Sequence, residues 1–176
     1  TRDFTAAADI APTSVSSTQG RLDGARLTLR ARTEGGSLRV EGAAALDRLV
    51  AVDAGADNLA LDLNAVAPRK LSGATATVRA RGARLAFGAE AARDLSIEAS
   101  AEPGAEKRWR VRGAVAAAAL EGDLSSGANL RVTLNAAADA KEAAGEWPAR
   151  SDALRVTNLD TPAASGSGAF AWRNDE

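Results

Sequence analysis

The chain has 176 residues, 22 basic and 23 acidic side chains, and a formal charge of −1. That balance offers no overall attraction to nucleic acid or to anionic lipid head groups. Cysteine and histidine are both absent, which removes disulfides, thiolate chemistry, Cys-based zinc sites and the commonest general base. No run of 18 apolar residues exists to span a bilayer as a helix.

A cysteine-free chain suits an oxidising space in which stray thiols would mispair. Aromatic residues make up 3% of the chain, with no tyrosine, which argues against the aromatic girdles of a transmembrane β-barrel. The chain opens at Thr1 without a methionine, so an excised internal piece of a longer polypeptide is expected, with any targeting segment outside it. Alanine occurs 44 times, and composition alone would therefore predict helix. Periodicity predicts otherwise.

Phe4, Ala6, Ala8 and Ile10 open a series of alternating segments. Ala25, Leu27, Leu29 and Ala31 then share one parity while Arg26, Thr28, Arg30 and Arg32 share the other. That period-2 pattern places the apolar groups on one face of a strand. Glu34-Gly35-Gly36 turns the chain, and Leu38, Val40 and Gly42 continue the apolar parity. Leu59, Leu61, Leu63 and Ala65 alternate with Ala60, Asp62 and Asn64, ending at Pro68. Ala74, Ala76, Val78 and Ala80 follow. After Gly82 the apolar positions become Ala83, Leu85, Phe87 and Ala89, read as a separate strand.

Leu95, Ile97, Ala99 and Ala101 precede a Pro103-Gly104 turn, and Trp109, Val111, Gly113 and Val115 oppose Arg108, Arg110 and Arg112. Leu130, Val132, Leu134 and Ala136 oppose Arg131, Thr133 and Asn135, while Leu154 with Val156 and Phe170 with Trp172 close the series. The pattern predicts an all-β antiparallel meander of about ten short strands. Crossover helices have no room between them, which excludes a parallel α/β sheet. Three stretches retain helical character: 43–54, with its Leu46/Leu49/Val50 spacing, the alanine run 114–120, and 136–146. A loop or helical insertion over 136–153 is expected within an otherwise single unit, 1–176.

Internal echoes support a repetitive build. Leu22-Asp23-Gly24-Ala25 matches Leu71-Ser72-Gly73-Ala74, and Leu-Arg-Val recurs at 38, 130 and 154. Their spacing is irregular, which disfavours a solenoid of fixed coil length.

No catalytic signature is present, so an enzyme is not expected. Ser165-Gly166-Ser167-Gly168 resembles a nucleophile elbow, but Ala164 replaces the first glycine and no histidine can act as base. A flexible loop is the expectation there. Asp53, Asp57, Asn58, Asp62 and Asn64 form an oxygen-rich cluster without EF-hand spacing, better read as a solvated face than as a metal site. Neither metal nor cofactor is expected. The arginine rows at 26/30/32, 79/81/84 and 108/110/112 could form a basic strip for phosphate groups, but the expectation is that they pair across strands with carboxylates such as Glu41, Asp62 and Glu98.

The apolar face is the informative feature, because it is built from small residues. A buried alanine contributes only about 0.8 kcal/mol of transfer energy, and filling a sandwich core about 10 Å thick with such groups is difficult. Either a second layer approaches closely, in a small closed sandwich or barrel, or the face lines a narrow groove that holds something else.

These alternating strands with Leu-x-Gly-Ala openings, Ala/Leu inner faces and Arg/Thr/Asp outer faces resemble the AsmA-like proteins of Gram-negative envelopes, including the TamB and YdbH groups. The likeness spans most of residues 1–173 and is one of texture, since the superfamily has no sharp motif. The resemblance implies a U-shaped β-groove within a bridge-like lipid-transfer protein. Such a protein is anchored in the inner membrane, crosses the periplasm and shields phospholipid acyl chains, with an outer-membrane partner at its far end. The groove lining implied is Leu27, Leu29, Leu38, Val40, Leu59, Leu61, Leu63, Ala76, Val78, Leu85, Phe87, Leu95, Ile97, Trp109, Val111, Val132 and Leu134. The alternative is a structural or adhesive β-solenoid or β-sandwich module of a secreted surface protein, with a dry filled core.

Overall fold

The computed structural model describes residues 4–68, 73–105, 108–123, 125–139, 142–156, 159–161 and 164–173. They form one antiparallel sheet of fourteen strand segments, neither closed nor strongly curled. The segments are β1 (Thr5–Ile10), β2 (Ser14–Ser17), β3 (Gly20–Asp23), β4 (Arg26–Glu34), β5 (Ser37–Ala51), β6 (Ala54–Pro68) and β7 (Thr75–Phe87). They continue with β8 (Glu90–Pro103), β9 (Trp109–Glu121), β10 (Ser125–Ala138), β11 (Glu142–Ser151), β12 (Ala153–Val156), β13 (Leu159–Thr161) and β14 (Ala164–Arg173).

Register shows which segments belong together. β3 and β4 pair with β5 in one continuous register, Gly20 with Ala51 through Arg26 with Ala45 to Glu34 with Ser37. β11 and β12 share one register against β10 in the same way. β1 joins β2, and β13 joins β14, by the same test. Fourteen segments thus make ten strand lines in an up-and-down meander, each beside its neighbour in sequence. At about 4.8 Å between strands, the sheet is about 43 Å wide.

The strands are longer than period-2 runs alone suggested, because β5 and β6 each extend over 15 residues. None of the three stretches with helical character is helix: 43–51 lies in β5 with a bend at 52–53 before β6, 114–120 lies in β9, and 136–138 and 142–146 lie in β10 and β11. The insertion expected over 136–153 does not form. Its described residues are the end of β10, all of β11 and the start of β12, with Asp139 and Asp152 between them. Cross-strand pairing overrides the helix propensity of alanine here. Ser165–Gly168 is not a loop but part of β14, where Gly168 leaves room for the Trp147 ring on β11. Of the Leu71–Ala74 echo, residues 71 and 72 lie outside the described residues.

A two-residue turn closes the hairpin of β4 and β5. Gly35 and Gly36 both take positive φ, 58° and 83°, between the paired residues Glu34 and Ser37. That conformation is the type I′ turn whose twist matches a hairpin.

Among the described residues no second layer covers the sheet. Only Ala56, Gly82, Ala117 and Ser151 are buried among the described residues. The accessible surface is 12004 Å², against about 8,000 Å² for a globular chain of this mass. The described residues therefore do not close a sandwich.

Candidate functional site

The two faces of the sheet differ in chemistry. One transverse row on the apolar face runs Ile10, Leu27, Ala44, Leu61, Ala80, Ile97, Val115, Val132, Ala149, Gly166 across ten strand lines, each residue paired with the next. A second row contains Leu29, Gly42, Leu63, Val78, Ala99, Gly113 and Leu134. A third contains Val40, Ala65, Ala76, Ala101 and Val111. Leu38 and Trp109 lie one row further towards the hairpin ends, opposite Ala67 and Ala138 respectively.

The remaining four of the seventeen expected lining residues lie elsewhere. Leu59 and Leu95 belong to a row that includes Leu46, Gly82, Ala117, Leu130 and Ser151. Leu85 belongs to another, with Leu22, Leu49, Ala56, Ala92, Leu120, Gly127 and Leu154, and Phe87 stands beyond it opposite Ala54. None of the seventeen is buried. Leu27, Leu29, Leu38, Leu61, Leu85 and Phe87 are outright exposed, Phe87 to 75%.

Sequence reasoning missed the feature that joins these rows. Leu22 and Ala25, Leu46 and Leu49, Ala56 and Leu59, Gly82 and Leu85, Ala92 and Leu95, Ala117 and Leu120, Gly127 and Leu130, and Ser151 and Leu154 are each three positions apart. A regular pleat would place such partners on opposite faces. The sheet instead changes phase along one transverse line. In alternate strand lines this line holds Gly24, Asn58, Asp94 and Asn129, all at positive φ between 49° and 64°.

One left-handed residue breaks the alternation, and both apolar rows keep the same face. A Cβ on Gly127 would lie 3.4 Å from Ser151 Oγ and 3.5 Å from Leu154 Cδ1, which puts members of both rows beside one another. The four left-handed positions recur at intervals of 34, 36 and 35 residues, so the repeat is a hairpin. The signal available in the sequence was Asn, Asp or Gly directly before Leu or Ala, followed by alternating apolar residues.

All four buried residues sit on this crease, where small side chains lie beside leucines. Ser151 Oγ lies 2.9 Å from both the Ala128 and Ala153 carbonyls, which it can serve as donor. The buried hydroxyl is thereby satisfied.

The opposite face is a lattice of exposed ion pairs. Arg79 meets Glu98 at 3.4 Å, and Arg32 and Arg39 share Glu41 at 3.8 and 3.9 Å. Arg110 and Arg112 share Glu102 at 3.1 and 3.9 Å, while Arg108 pairs with Asp139 and Glu142. Members of all three arginine rows or their neighbours are thus matched to acids across strands, and Asp62 stands opposite Arg79 in register. Such pairs contribute little each when exposed. Of the oxygen-rich cluster, Asp57 pairs with Arg48 at 3.8 Å and Asn58 is a crease residue. No group of three metal-ligating side chains occurs among the described residues, nor does any helix long and apolar enough to cross a membrane.

Fold and surface define a class: an open, single-layer antiparallel sheet with one uncovered apolar face. No protein-family model, curated protein or solved structure matches the chain.

Proposed function

We propose that the apolar face holds lipid acyl chains, and that the chain is a segment of a lipid-transfer protein of the AsmA-like kind. One observation carries this reading: the face runs unbroken across ten strand lines and none of the described residues covers it. An apolar sheet face left in water is costly, and contiguous patches of this extent mark contact with another apolar body. Hydrocarbon laid on it gains about 25 cal/mol per Å² removed from water and needs no polar recognition. The finer shape proposed is a shallow U-shaped trough bent about the crease, with both apolar rows as its floor. In that setting the chain would work in the periplasm as part of an inner-membrane-anchored protein, moving phospholipid towards an outer-membrane partner. The reading assigns it no catalysis, cofactor or nucleic acid.

The experiment places a benzophenone side chain at Leu61, Val78 or Val132, and separately at Asp62, Arg79 or Arg131, in cells expressing the intact parent protein. The first set should capture phospholipid and the second should not, with capture insensitive to salt. Equal labelling of both faces, or labelling abolished by moderate salt, would point to surface charge and remove the proposal.

A further inference from the structure

Among the described residues, three pairs of arginines stand directly opposite each other on neighbouring strands. Like charges so placed repel. Two of the pairs carry their own acids. Arg32 and Arg39 share Glu41, while Arg84 stands opposite Asp57 and its partner Arg93 meets Glu121 at 2.8 Å. The third pair, Arg131 of β10 and Arg150 of β11, forms no ion pair with any described residue. Its transverse row on the polar face runs Arg81, Ser96, Ala116, Arg131, Arg150, Ser165 and contains no acid. Asp152, two residues beyond Arg150, already accepts from Asn129 Nδ2 at 2.7 Å.

The backbone ladder is broken beside this pair. Asp139 N–H donates to Glu142 O at 2.8 Å, and that parity, counted back along both strands, puts residues 133 and 148 in a hydrogen-bonding position. Pro148 has no N–H to give. Pairing accordingly stops after Val132 with Ala149 and resumes at Asn135 with Glu146. Proline is ordinarily kept to edge strands, but β11 lies between β10 and β14, with Pro148 paired to Ser167. A depression of about 240 Å³ lies at the break, lined by Arg131, Thr133, Pro148, Ala149 and Arg150.

We infer that Arg131 and Arg150 hold a phosphate monoester between them, over the break at Pro148. Such a group carries about two negative charges at neutral pH and three acceptor oxygens. It can take forked N–H bonds from both guanidiniums, which turns two repelling cations into a bridged pair. Thr133, half-buried in the same depression, adds a hydroxyl donor. A carboxylate, with two oxygens and one charge, satisfies one fork but not two. The phosphate can belong to a soluble ester or to a lipid head group. The site lies on the polar face and is independent of what covers the apolar one. A benzophenone at Arg131 would remove it together with the side chain.

The test is nitrogen-edited NMR of the full chain, titrated with inorganic phosphate at constant ionic strength. The Arg131 and Arg150 Nε–H signals should shift together and saturate. Those of Arg79 and Arg110, held by Glu98 and Glu102, should stay in place. Arg150→Gln should weaken binding about tenfold, and Arg150→Lys less, since it keeps the charge but loses the fork. Without phosphate, Arg150→Gln should melt no lower than the parent, because it removes a repulsion. Phosphate should then raise the melting point of the parent and not that of the variant. Sedimentation with phosphatidylcholine vesicles, with and without phosphatidic acid, separates the two sources. Extra binding to phosphatidic acid that disappears when Arg131→Gln and Arg150→Gln are combined identifies a lipid head group. Saturable phosphate binding without that extra binding identifies a soluble ester. Shifts that never saturate, equal shifts at Arg79, acetate bound as tightly as phosphate, or an Arg150→Gln variant still stabilised by phosphate would each overturn the inference.

Discussion

Asn129 donates from Nδ2 to Asp152 Oδ2 at 2.7 Å, and the two stand opposite each other on the line where the sheet changes phase. Asn129 holds φ at 52°, a conformation that costs an ordinary L-residue roughly 1–2 kcal/mol. Asn129→Gly should therefore lose only the exposed hydrogen bond, within about 0.5 kcal/mol of the parent. Asn129→Ala should cost about 1–2 kcal/mol, and Asn129→Val more, because β-branching is least tolerated at positive φ. Urea titration of the three variants checks the order. If glycine and alanine are equivalent, the left-handed residue does not hold the crease.

The same crease explains what the sequence hid. The faces were legible wherever alternation ran unbroken, as in Leu59–Leu61–Leu63, and the phase change after Gly82 was visible too. In sequence it reads as the start of a new strand because a shift in parity has two causes, a strand end or a kink, and β7 runs straight through this one. Leu46 and Leu49 read as a helical spacing because three residues is also the interval between apolar rows across a crease. The repeat escaped because it lies in backbone conformation, carried by Gly24, Asn58, Asp94 and Asn129, rather than in residue identity. That the apolar face lacks a covering layer was open in the sequence, which allowed both a filled core and a groove.

Two glycines on the paired strands β11 and β14 should respond oppositely to the same change. A Cβ on Gly145 would lie 2.6 Å from both Ala136 Cβ and Asn135 O, and the backbone oxygen cannot swing away. At Gly166 a Cβ has nothing within 4 Å. Gly145→Ala should thus destabilise by about 1–3 kcal/mol, as overpacking does. Gly166→Ala should be neutral or slightly stabilising, since alanine loses less backbone freedom on folding. Thermal melts of the two variants distinguish these outcomes.

The Arg21 guanidinium holds the Asp23 carboxyl below its ordinary range through hydrogen bonds of 2.8 and 2.9 Å from Nε, assisted by Ser14. A carboxylate whose pKa is lower folded than unfolded adds stability above the unfolded value, and that stability disappears as pH falls through the folded one. Asp23→Asn should accordingly lower the urea midpoint slightly at neutral pH. The gap to the parent should close as pH drops below about 4. A gap that widens in acid would reverse the assigned sign.

Neighbouring positions on β7 separate the two faces most directly. Val78 lies between Leu63 and Ala99 on the apolar face, while Thr77 lies between Asn64 and Ser100 on the polar one. In a filled core a buried aspartate at Val78 would be among the most damaging of substitutions. Here the face is uncovered and Val78 only half-buried, so the new carboxylate keeps part of its hydration. Val78→Asp should cost about 1–2 kcal/mol, and Thr77→Asp no more than about 0.5 kcal/mol. Their effects on acyl-chain capture should differ far more than their stabilities do. A charge at Val78 must be desolvated when hydrocarbon is laid over it, whereas one at Thr77 faces away. Lipid co-purifying with the parent protein, counted by native mass spectrometry, should fall steeply for Val78→Asp and stay unchanged for Thr77→Asp. If Val78→Asp instead unfolds the chain outright, the apolar face is a covered core, and the open trough must be abandoned.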